Sequence, residues 1–270
     1  MKITILMENA AGREDVCAEH GLSVYIETKK HRILMDTGAS EKTVQNAAVL
    51  GVDLSLADTA VISHGHYDHA GGLLSFAELN PAARIFIRDG AFGDFYHGEK
   101  YIGIDKSIGK LVNLHTVTSD EYTLDGELSL FSRLSGGHPV PEGNRELIKR
   151  LGNMSVPDSF SHEMCLNVHT ENKNVLFSGC AHSGILNILD RFSEIYGTFP
   201  DAVVSGFHMV KNSEFSNRDT ENIRRTAKEL AALPAVFYTG HCTGDAAFEI
   251  MKDIMGEKLF RIRAGDTFEL

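Results

Sequence analysis

One stretch decides the fold of this chain: Thr59-Ala-Val-Ile-Ser-His-Gly-His-Tyr-Asp-His-Ala-Gly-Gly72. Its first four residues are an apolar run bounded by Ser63 and Gly65, which predicts a buried strand that ends in a loop. Three histidines and one aspartate follow within six residues, and loops at strand ends are where rigid scaffolds place their chemistry. The stretch therefore predicts a divalent-cation site at the end of a buried strand.

The spacing of these side chains predicts two metal positions. Alternate side chains of an extended segment point the same way, so His64 and His66 can reach one metal together. Asp68 and His69 follow where the chain must turn, so they can face a second position. Neutral imidazole suits zinc, iron or manganese, and the carboxylate adds negative charge and hard-ligand character. A histidine-rich surface loop is the alternative, but this order of residues, followed by two glycines, favours a metal site.

His64-x-His66-x-Asp68-His69 resembles the HxHxDH motif of the metallo-β-lactamase fold superfamily. The resemblance extends along most of the chain, where further motifs follow in order: Leu34-Met-Asp36-Thr-Gly38, Phe177-Ser-Gly-Cys180-Ala-His182-Ser-Gly184, Gly206-Phe-His208 and Thr239-Gly-His241-Cys-Thr-Gly244. The later motifs are most similar to the branch that contains dihydropterin ribofuranosylaminobenzene-phosphate synthase-like proteins, often described as metal-dependent hydrolases. The resemblance implies an αβ/βα sandwich of two mixed β-sheets with helices outside.

The loop at residues 64–69 is an incomplete site, since a catalytic zinc usually has three protein ligands and one open position. His241 lies between glycines after a predicted strand, and it resembles the superfamily's final histidine, which joins Asp68 and His69 on the second metal. Much of the superfamily has a bridging carboxylate where this chain has Cys180. Either a Cys180 thiolate takes that place and biases the site toward zinc, or Cys180 is a small buried residue and His182 reaches the metal instead.

The third histidine of the first metal has two candidates. The superfamily places it before a hairpin that leads into the strand ending at the bridging position. His162 lies 18 residues before Cys180 and fits that pattern. Glu163 beside it can orient it or bind substrate. His138, which follows two glycines, is the second candidate.

Two further residues are expected beside the metal. Metal-bound imidazoles commonly donate their free N–H group to a carboxylate, and Asp36 is the candidate for that outer layer. His208 follows a predicted strand end, where it can stabilise a developing oxyanion or protonate a leaving group. Asp68 is expected either to bind metal or to orient the nucleophile.

Composition favours one large α/β domain that spans residues 1–270. The net charge is −11 and no basic block occurs, which argues against nucleic-acid binding through phosphates. No apolar stretch approaches the length of a membrane span, and the four cysteines form no CxxC pair, so a cytoplasmic protein with reduced thiols is expected. The expected partner is a small molecule, phosphorylated or not, and the oligomeric state stays open.

The order of predicted elements fits two similar halves. Strands are expected at Lys2 to Met7 and Arg32 to Met35, and a hairpin is expected across Thr170 to Lys173. A long helix is expected at Arg218 to Leu233. Residues 88–157 contain strand-like pieces but look irregular, which is typical of either a lid-like insertion over the site or an ordinary connection.

The leading functional hypothesis is a metal-dependent hydrolase in which a metal-bound hydroxide attacks a phosphoester or related ester. One or two zinc ions are expected, with manganese or iron as alternatives. If the resemblance to the synthase branch carries the activity, the reaction is instead transfer of a dihydropterin-methyl group to an aminobenzene ribofuranosyl phosphate. An iron-dependent redox protein is a second alternative.

Overall fold

Two seven-stranded β-sheets pack face to face, and helices cover the outer face of each sheet. This computed structural model describes residues 1–134, 136–170, 173–211 and 214–270. The described strands are β1 Lys2–Met7, β2 Ser23–Glu27, β3 Arg32–Met35, β4 Thr59–Ile62, β5 Arg84–Arg88, β6 Asp94–His97, β7 Lys100–Tyr101, β8 Leu114–Val117, β9 Glu121–Thr123, β10 Leu128–Phe131, β11 Leu147–Leu151, β12 Met154–Pro157, β13 Cys165–Thr170, β14 Lys173–Phe177, β15 Ala202–Val204, β16 Val236–Thr239, β17 Leu259–Arg261 and β18 Thr267–Glu269.

The helices lie between the strands of each half. The described α-helices are α1 Lys42–Val49, α2 Tyr67–Ala70, α3 Leu73–Leu79, α4 Ile185–Tyr196, α5 Asn217–Ala232 and α6 Asp245–Met255. Short 3-10 helices occupy Leu54–Leu56, Lys106–Lys110, Glu142–Glu146, His241–Thr243 and Gly256–Lys258. The longest described α-helix, α5, is capped by Ser216, whose side chain accepts from the backbone N–H of Asp219 in a reciprocal capping box.

The two sheets have the same design. The strand order is β18-β1-β2-β3-β4-β5-β8 in the first sheet and β17-β16-β15-β14-β13-β10-β9 in the second. Strands β3, β4, β5 and β8 are parallel neighbours, as are β14, β15, β16 and β17, while the other neighbours are antiparallel. In parallel sheets, ligands bind beyond the carboxyl ends of the strands, so this design puts one candidate edge in each sheet.

Apolar side chains form three layers of core. Val61 and Phe86 of the first sheet share the central layer with Leu166 and Phe177 of the second, and all four are at most 2% exposed. Burying each such side chain contributes roughly 1.5–3 kcal/mol, so the facing sheets account for much of the stability. Separate clusters lie under α1 and α3 on one side and under α4, α5 and α6 on the other. The predicted αβ/βα sandwich is confirmed.

The segment 88–157 is more regular than the sequence predicts. Within it, β8 joins the edge of the first sheet, while β9 and β10 join the second. A separate four-stranded sheet, ordered β12-β11-β6-β7, occupies much of the remainder. The strand-like pieces that the sequence indicates correspond to β8 and β10, whereas β6, β7, β11 and β12 were not expected. These strands are two to five residues long and partly exposed, so they lack the apolar alternation by which strands are recognised.

Two further expectations can be compared with the structure. Strands β13 and β14 pair antiparallel, as the predicted hairpin requires, while the turn residues 171–172 between them lie outside the described residues. All four cysteines are free thiols. Among the helices of the described ranges, none is long and apolar enough to cross a membrane.

Candidate metal centre

The candidate site lies where the parallel strands of both sheets reach their carboxyl ends. Five of these strand ends supply functional side chains: Asp36 after β3, His64 to His69 after β4, Cys180 and His182 after β14, His208 after β15, and His241 after β16. Three of these residues, Asp36, His208 and His241, have a positive φ, and so does Ala181 between the two β14 donors; the four φ angles lie between 48° and 58°, a conformation rare outside glycine. Such backbone strain commonly accumulates at functional sites.

Four buried residues, Asp68, His69, Cys180 and His241, bring their donor atoms together, and they are called the mixed group below. His69 Nε2 lies 3.1 Å from Cys180 Sγ and 3.2 Å from His241 Nε2. Asp68 Oδ2 lies 3.3 Å from His241 Nε2 and 3.7 Å from His69 Nε2. Bond lengths of about 2.0–2.3 Å in a tetrahedral zinc site place ligand atoms about 3.3–3.8 Å apart. The mixed group therefore has the dimensions of a metal-ligand set.

Three buried histidines, His64, His66 and His182, form the imidazole group, with one ring nitrogen of each within 4.8 Å of the others. The Nε2 atoms of all three are buried and have no hydrogen-bond partner among the described residues. Unpartnered buried polar atoms are uncommon and call for an explanation, such as a bound ion. Three of them in one place fit a cation that accepts their lone pairs.

Outer-layer hydrogen bonds set the ring orientation of several donors. His69 Nδ1 lies 2.6 Å from Asp36 Oδ2, and His241 Nδ1 lies 2.8 Å from Asn9 Oδ1. The Ser63 hydroxyl donates its only proton to Asp36, so it can only accept at its 2.8 Å contact with His64 Nδ1. His64 therefore carries its proton on Nδ1. This leaves Nε2 bare for a metal, the arrangement that outer-layer partners usually enforce.

The charge states of the described donors also fit a cation. Burial lowers the pKa of His66 to about 4, and it lowers the pKa of His64 and His182 well below their ordinary value, so all three are neutral at pH 7. Burial raises the pKa of Asp68, but neighbouring His69 and His241 outweigh it and hold the pKa well below its ordinary value. Neutral imidazole and ionised carboxylate are the forms that bind metal.

The pKa of His69 is shifted in the opposite direction from the pKa values of the imidazole group. Burial lowers its pKa, but Asp36 and Asp68 outweigh that effect and raise the pKa to about 9. The metal-free site therefore holds a proton on His69 at neutral pH, positioned among donors that would otherwise repel one another. A cation would take the place of that proton.

The structure brings His182, and not His162, to the imidazole group. The backbone N–H of Gly65 donates to His162 Nδ1 at 2.9 Å, so His162 Nε2 carries the proton at its 3.1 Å contact with Asp158. Both ring nitrogens of His162 are thereby engaged. His66, Asp158 and His162 do form a further close group, and ligation there requires His162 to give up one of these hydrogen bonds.

His138 was the other candidate for this position, and Glu163 was expected to orient His162 or bind substrate. His138 faces Asp190 at 3.2 Å and Glu229 at 3.5 Å near the surface, away from the imidazole group. Glu163 is buried and accepts from the backbone N–H groups of His182 at 2.7 Å and Ser183 at 2.9 Å. Glu163 therefore orients the loop that carries His182 rather than the ring of its neighbour.

Cys180 and His182 are both brought to the site, in different groups. Cys180 also lies close to His182 and His208, which places its sulfur between the two groups. Burial, followed by neighbouring Cys242, raises the pKa of the Cys180 thiol well above its ordinary value. A bound cation would reverse that preference, because metal coordination deprotonates a thiol.

His208 lies beside the imidazole group, with ring centroids 4.1 Å apart between it and His182. Its Nδ1 atom is buried without a hydrogen-bond partner among the described residues. Its backbone N–H donates to Cys242 Sγ at 3.3 Å. The ring also lines the cavity described next, so one face of it is available to a ligand.

A cavity of about 650 Å³ opens beside both groups. Its wall includes apolar side chains such as Ile102, Ile185 and Phe215. Residues 139–143 and 145–147 also line it, so part of the predicted lid-like segment does border the site. The volume suits a small-molecule ligand.

Several site residues escape the sequence analysis. The Glu8 carboxylate accepts from the backbone N–H of His241, and Asn9 contacts the ring of the same residue. Glu8 and Asn9 directly follow β1, so a polar pair after a buried strand was the available signal. His20 Nε2 lies 3.3 Å from Asp68 Oδ2, and no local pattern around it predicts this contact.

Comparison with known proteins agrees with this geometry. The family model of the metallo-beta-lactamase superfamily matches residues 18–239. The chain belongs to the metallo-beta-lactamase superfamily, whose members bind metal ions and are mostly enzymes. The resemblance drawn from the motifs is thereby confirmed.

Two relatives are similar to this chain over most of its length. An uncharacterized protein of Methanocaldococcus jannaschii is 31% identical over 251 residues, which cover 90% of each chain. The 7,8-dihydropterin-6-methyl-4-(beta-D-ribofuranosyl)-aminobenzene-5'-phosphate synthase of the same organism is 28% identical over 285 residues, covering 98% of this chain and 95% of the synthase.

Solved structures support the fold. A metal-dependent hydrolase of the beta-lactamase superfamily is 32% identical, with a TM-score of 0.84 over 100% of this chain and 99% of that one. The Zn(2+)-bound PqqB of Methylobacterium extorquens is 14% identical, with a TM-score of 0.63 over the full length of both chains, and shows the fold alone. The chain therefore has the metal-dependent hydrolase fold of its superfamily.

Proposed function

We propose that the protein is a metal-dependent hydrolase that cleaves a phosphoester or related ester. The observation that carries the proposal is the convergence of seven buried donor side chains in two groups, five of which line one cavity. The imidazole group and the mixed group would each hold one cation. Zinc is the proposed metal, because histidine and thiolate ligands at these separations suit it.

The protein residues have separate tasks in this reaction. When bound, the cation lowers the pKa of a water molecule toward neutrality and polarises the scissile ester. Asp68 is ionised and borders the cavity, so its carboxylate can bind metal and orient the attacking water. Asp36 holds the ring of His69 in place through a 2.6 Å contact.

His208 is proposed as the group that assists departure of the leaving group. Cleavage breaks the bond between phosphorus and the leaving oxygen, and that oxygen must gain a proton or have its charge stabilised. His208 lines the cavity beside His182, and its Nδ1 atom is not bonded within the described residues. Because the ring lines the cavity, it is placed to contact substrate.

The proposed substrate is a small anionic molecule. The cavity combines apolar walls with Lys100 and Arg225, whose polar contacts are the neutral groups of Tyr67 and Asn222, both at 3.2 Å. These cations are available to a phosphate or carboxylate. We also propose a cytoplasmic location, because all four cysteines are free thiols.

Hydrolysis of bis(p-nitrophenyl) phosphate by protein loaded with zinc, manganese or iron tests the proposal. We expect turnover with zinc, and its loss together with loss of metal in His66→Ala. His138→Ala is the matched control, because His138 is a histidine near the surface that is absent from both donor groups. The proposal that the protein is a hydrolase would be overturned if the protein holds two metal ions and cleaves neither this diester nor any carboxylic or phosphate ester tested.

A second candidate is the transferase reaction of the synthase branch. The alignment with the synthase covers nearly all of both chains, which favours this alternative specifically. The test is incubation of the zinc-loaded protein with a dihydropterin-methyl donor and an aminobenzene ribofuranosyl phosphate. Appearance of the joined product, without ester hydrolysis, would replace the first candidate by the second.

A further inference from the structure

Asn144 makes two hydrogen bonds to one residue, His182, that lies 38 positions further along the chain. Asn144 Nδ2 donates to the backbone carbonyl of His182 at 2.7 Å, and Asn144 Oδ1 lies 3.0 Å from His182 Nδ1. Asn144 is 9% exposed and is carried by the short helix Glu142–Glu146. No residue of that helix was singled out by the sequence analysis.

The direction of these two bonds follows from their chemistry. A backbone carbonyl only accepts, so the Asn144 amide must turn its nitrogen toward the carbonyl of His182. Its oxygen therefore faces His182 Nδ1, and an oxygen of an amide only accepts. His182 must then carry its proton on Nδ1. The Nε2 atom, which is buried near His64 and His66 and has no hydrogen-bond partner in the described part of the chain, is left with its lone pair.

The same side chain also ties the imidazole group to the cavity wall. The neighbours of Asn144 in the chain, Gly143 and Arg145, line the cavity. A Cβ added to Gly143 would lie 3.2 Å from His208 Nε2, so this helix passes directly over the proposed proton-donating ring. A ligand seated against this wall would therefore contact the segment that holds His182.

We propose that Asn144 is a positioning residue that sets the tautomer of His182 and couples this metal ligand to the cavity wall at residues 139–147. The inference rests on the proposed metal role of the imidazole group. It extends that role to a residue from a part of the chain outside the two main sheets. Outer-layer partners of this kind typically contribute 10–100-fold in metal affinity.

The test compares zinc affinity of the full-length wild type with that of Asn144→Leu and Asn144→Asp. Leucine has a similar volume and neither hydrogen bond, so we expect affinity at the imidazole group to fall about 10–100-fold. Aspartate keeps an acceptor for His182 Nδ1, so we expect it to recover part of that loss. Cobalt substitution supplies a second readout, since the absorption spectrum of the bound ion reports its ligand geometry.

A measurement without metal tests the tautomer directly. In protein labelled with nitrogen-15 on histidine, we expect His182 to be protonated on Nδ1 in wild type and in Asn144→Asp. We expect the Nε2-protonated tautomer to appear in Asn144→Leu. The His182 signal is assigned by its disappearance in His182→Ala.

Asn187→Leu is the matched control for a general loss of hydrogen bonding and packing around the cavity wall at residues 139–147. Asn187 is also buried and holds the same region, through 2.9 Å bonds to the backbone N–H and carbonyl of His138 and a 2.7 Å bond to the backbone carbonyl of Ser183, but it bonds to no imidazole ring among the described residues. We expect this variant to lower thermal stability and leave zinc affinity and the His182 tautomer near wild type. An equal loss of affinity in Asn187→Leu and Asn144→Leu would overturn the inference.

Failure of the inference and failure of the metal assignment give different results. If His182→Ala loses one metal ion while Asn144→Leu keeps wild-type affinity and the Nδ1 tautomer, only the role of Asn144 is wrong. If His182→Ala binds as many metal ions as wild type, the imidazole group itself is wrong, and the inference is overturned with it.

Discussion

The imidazole group and the mixed group lie side by side but differ in charge. The imidazole group consists of three neutral rings with buried Nε2 atoms that lack partners among the described residues. The mixed group contains the ionised carboxylate of Asp68, the thiol of Cys180 and the protonated ring of His69. One loop, residues 64–69, supplies donors to both groups, because the chain turns between His66 and Asp68. The comparison teaches that two adjacent metal positions can be given different ligand chemistry by a single short segment.

The largest expected effect comes from removing one donor from either group, which distinguishes the two proposed metal positions. His64→Ala removes a donor from the imidazole group, and His241→Ala removes one from the mixed group. We expect each variant to lose one of two metal ions, and phosphodiester turnover to fall on the order of 10³-fold, since hydroxide supply at neutral pH depends on the bound cation. Metal content measured by emission spectrometry checks the count. Loss of both ions in either variant would show that the groups form a single site.

The second-largest expected effect comes from Asp36, which contacts the ring of His69 in the mixed group. Asp36 lies 2.6 Å from His69 Nδ1 and accepts from the backbone N–H of Ser63. We expect Asp36→Asn to lower metal affinity of the mixed group about 10–100-fold, and that of the imidazole group less. Asp58→Asn is the control, because Asp58 makes a similar 3.0 Å contact with His31 far from the site. Equal weakening of both groups would contradict a role specific to His69.

The pH dependence of metal affinity should differ between the groups. The pKa of His69 is raised to about 9 in the metal-free protein, so a cation must displace its proton at neutral pH. Burial also keeps the Cys180 thiol protonated, so a cation must displace two protons, and affinity of the mixed group should rise about 100-fold per pH unit up to pH 9. The pKa of His66 is lowered to about 4, so its ring binds no proton that a cation must displace at pH 6 to 8. Competition with a chelating dye at pH 6, 7 and 8 measures both slopes, and parallel slopes would refute the contrast.

The smallest expected effect is a change of metal preference. Cys180→Asp replaces a soft sulfur by a hard oxygen in the mixed group. We expect the ratio of zinc to manganese affinity to fall by about tenfold or less at that group and to stay constant at the imidazole group. Cys165→Ser is the control, because Cys165 is a buried free cysteine within a strand. An unchanged ratio would mean that Cys180 is not a ligand.

Local patterns were sufficient to predict much of the fold. Buried strands such as Lys2–Met7 and Arg32–Met35 have the bounds that their apolar runs indicate. The small sheet formed by β6, β7, β11 and β12 was not predictable, because its strands are short and partly exposed. The pairing of β6 with β11, which joins two local hairpins into this sheet, brings together residues about 50 positions apart, as in the register of Tyr96 with Ile148.

The sequence offered His162 and His138 for the first metal, and it could not show that His182 joins the imidazole group instead. His162 and His182 both lie near predicted strands, and spacing favours His162. What separates them is which ring nitrogen is free, and distant groups decide this: the backbone of Gly65 for His162 and the side chain of Asn144 for His182. These hydrogen bonds join residues that are 38 and 97 positions apart in the chain, so no local sequence pattern predicts them.

Each donor group draws its members from both halves of the chain, and this has a consequence for assembly. The loop at residues 64–69 leaves the ribosome more than 100 residues before Cys180 and His182. Neither group closes until the second sheet has docked on the first. A cation held by either group would therefore gain its full set of ligands only after both halves of the chain have folded, and it would then link the two sheets to each other.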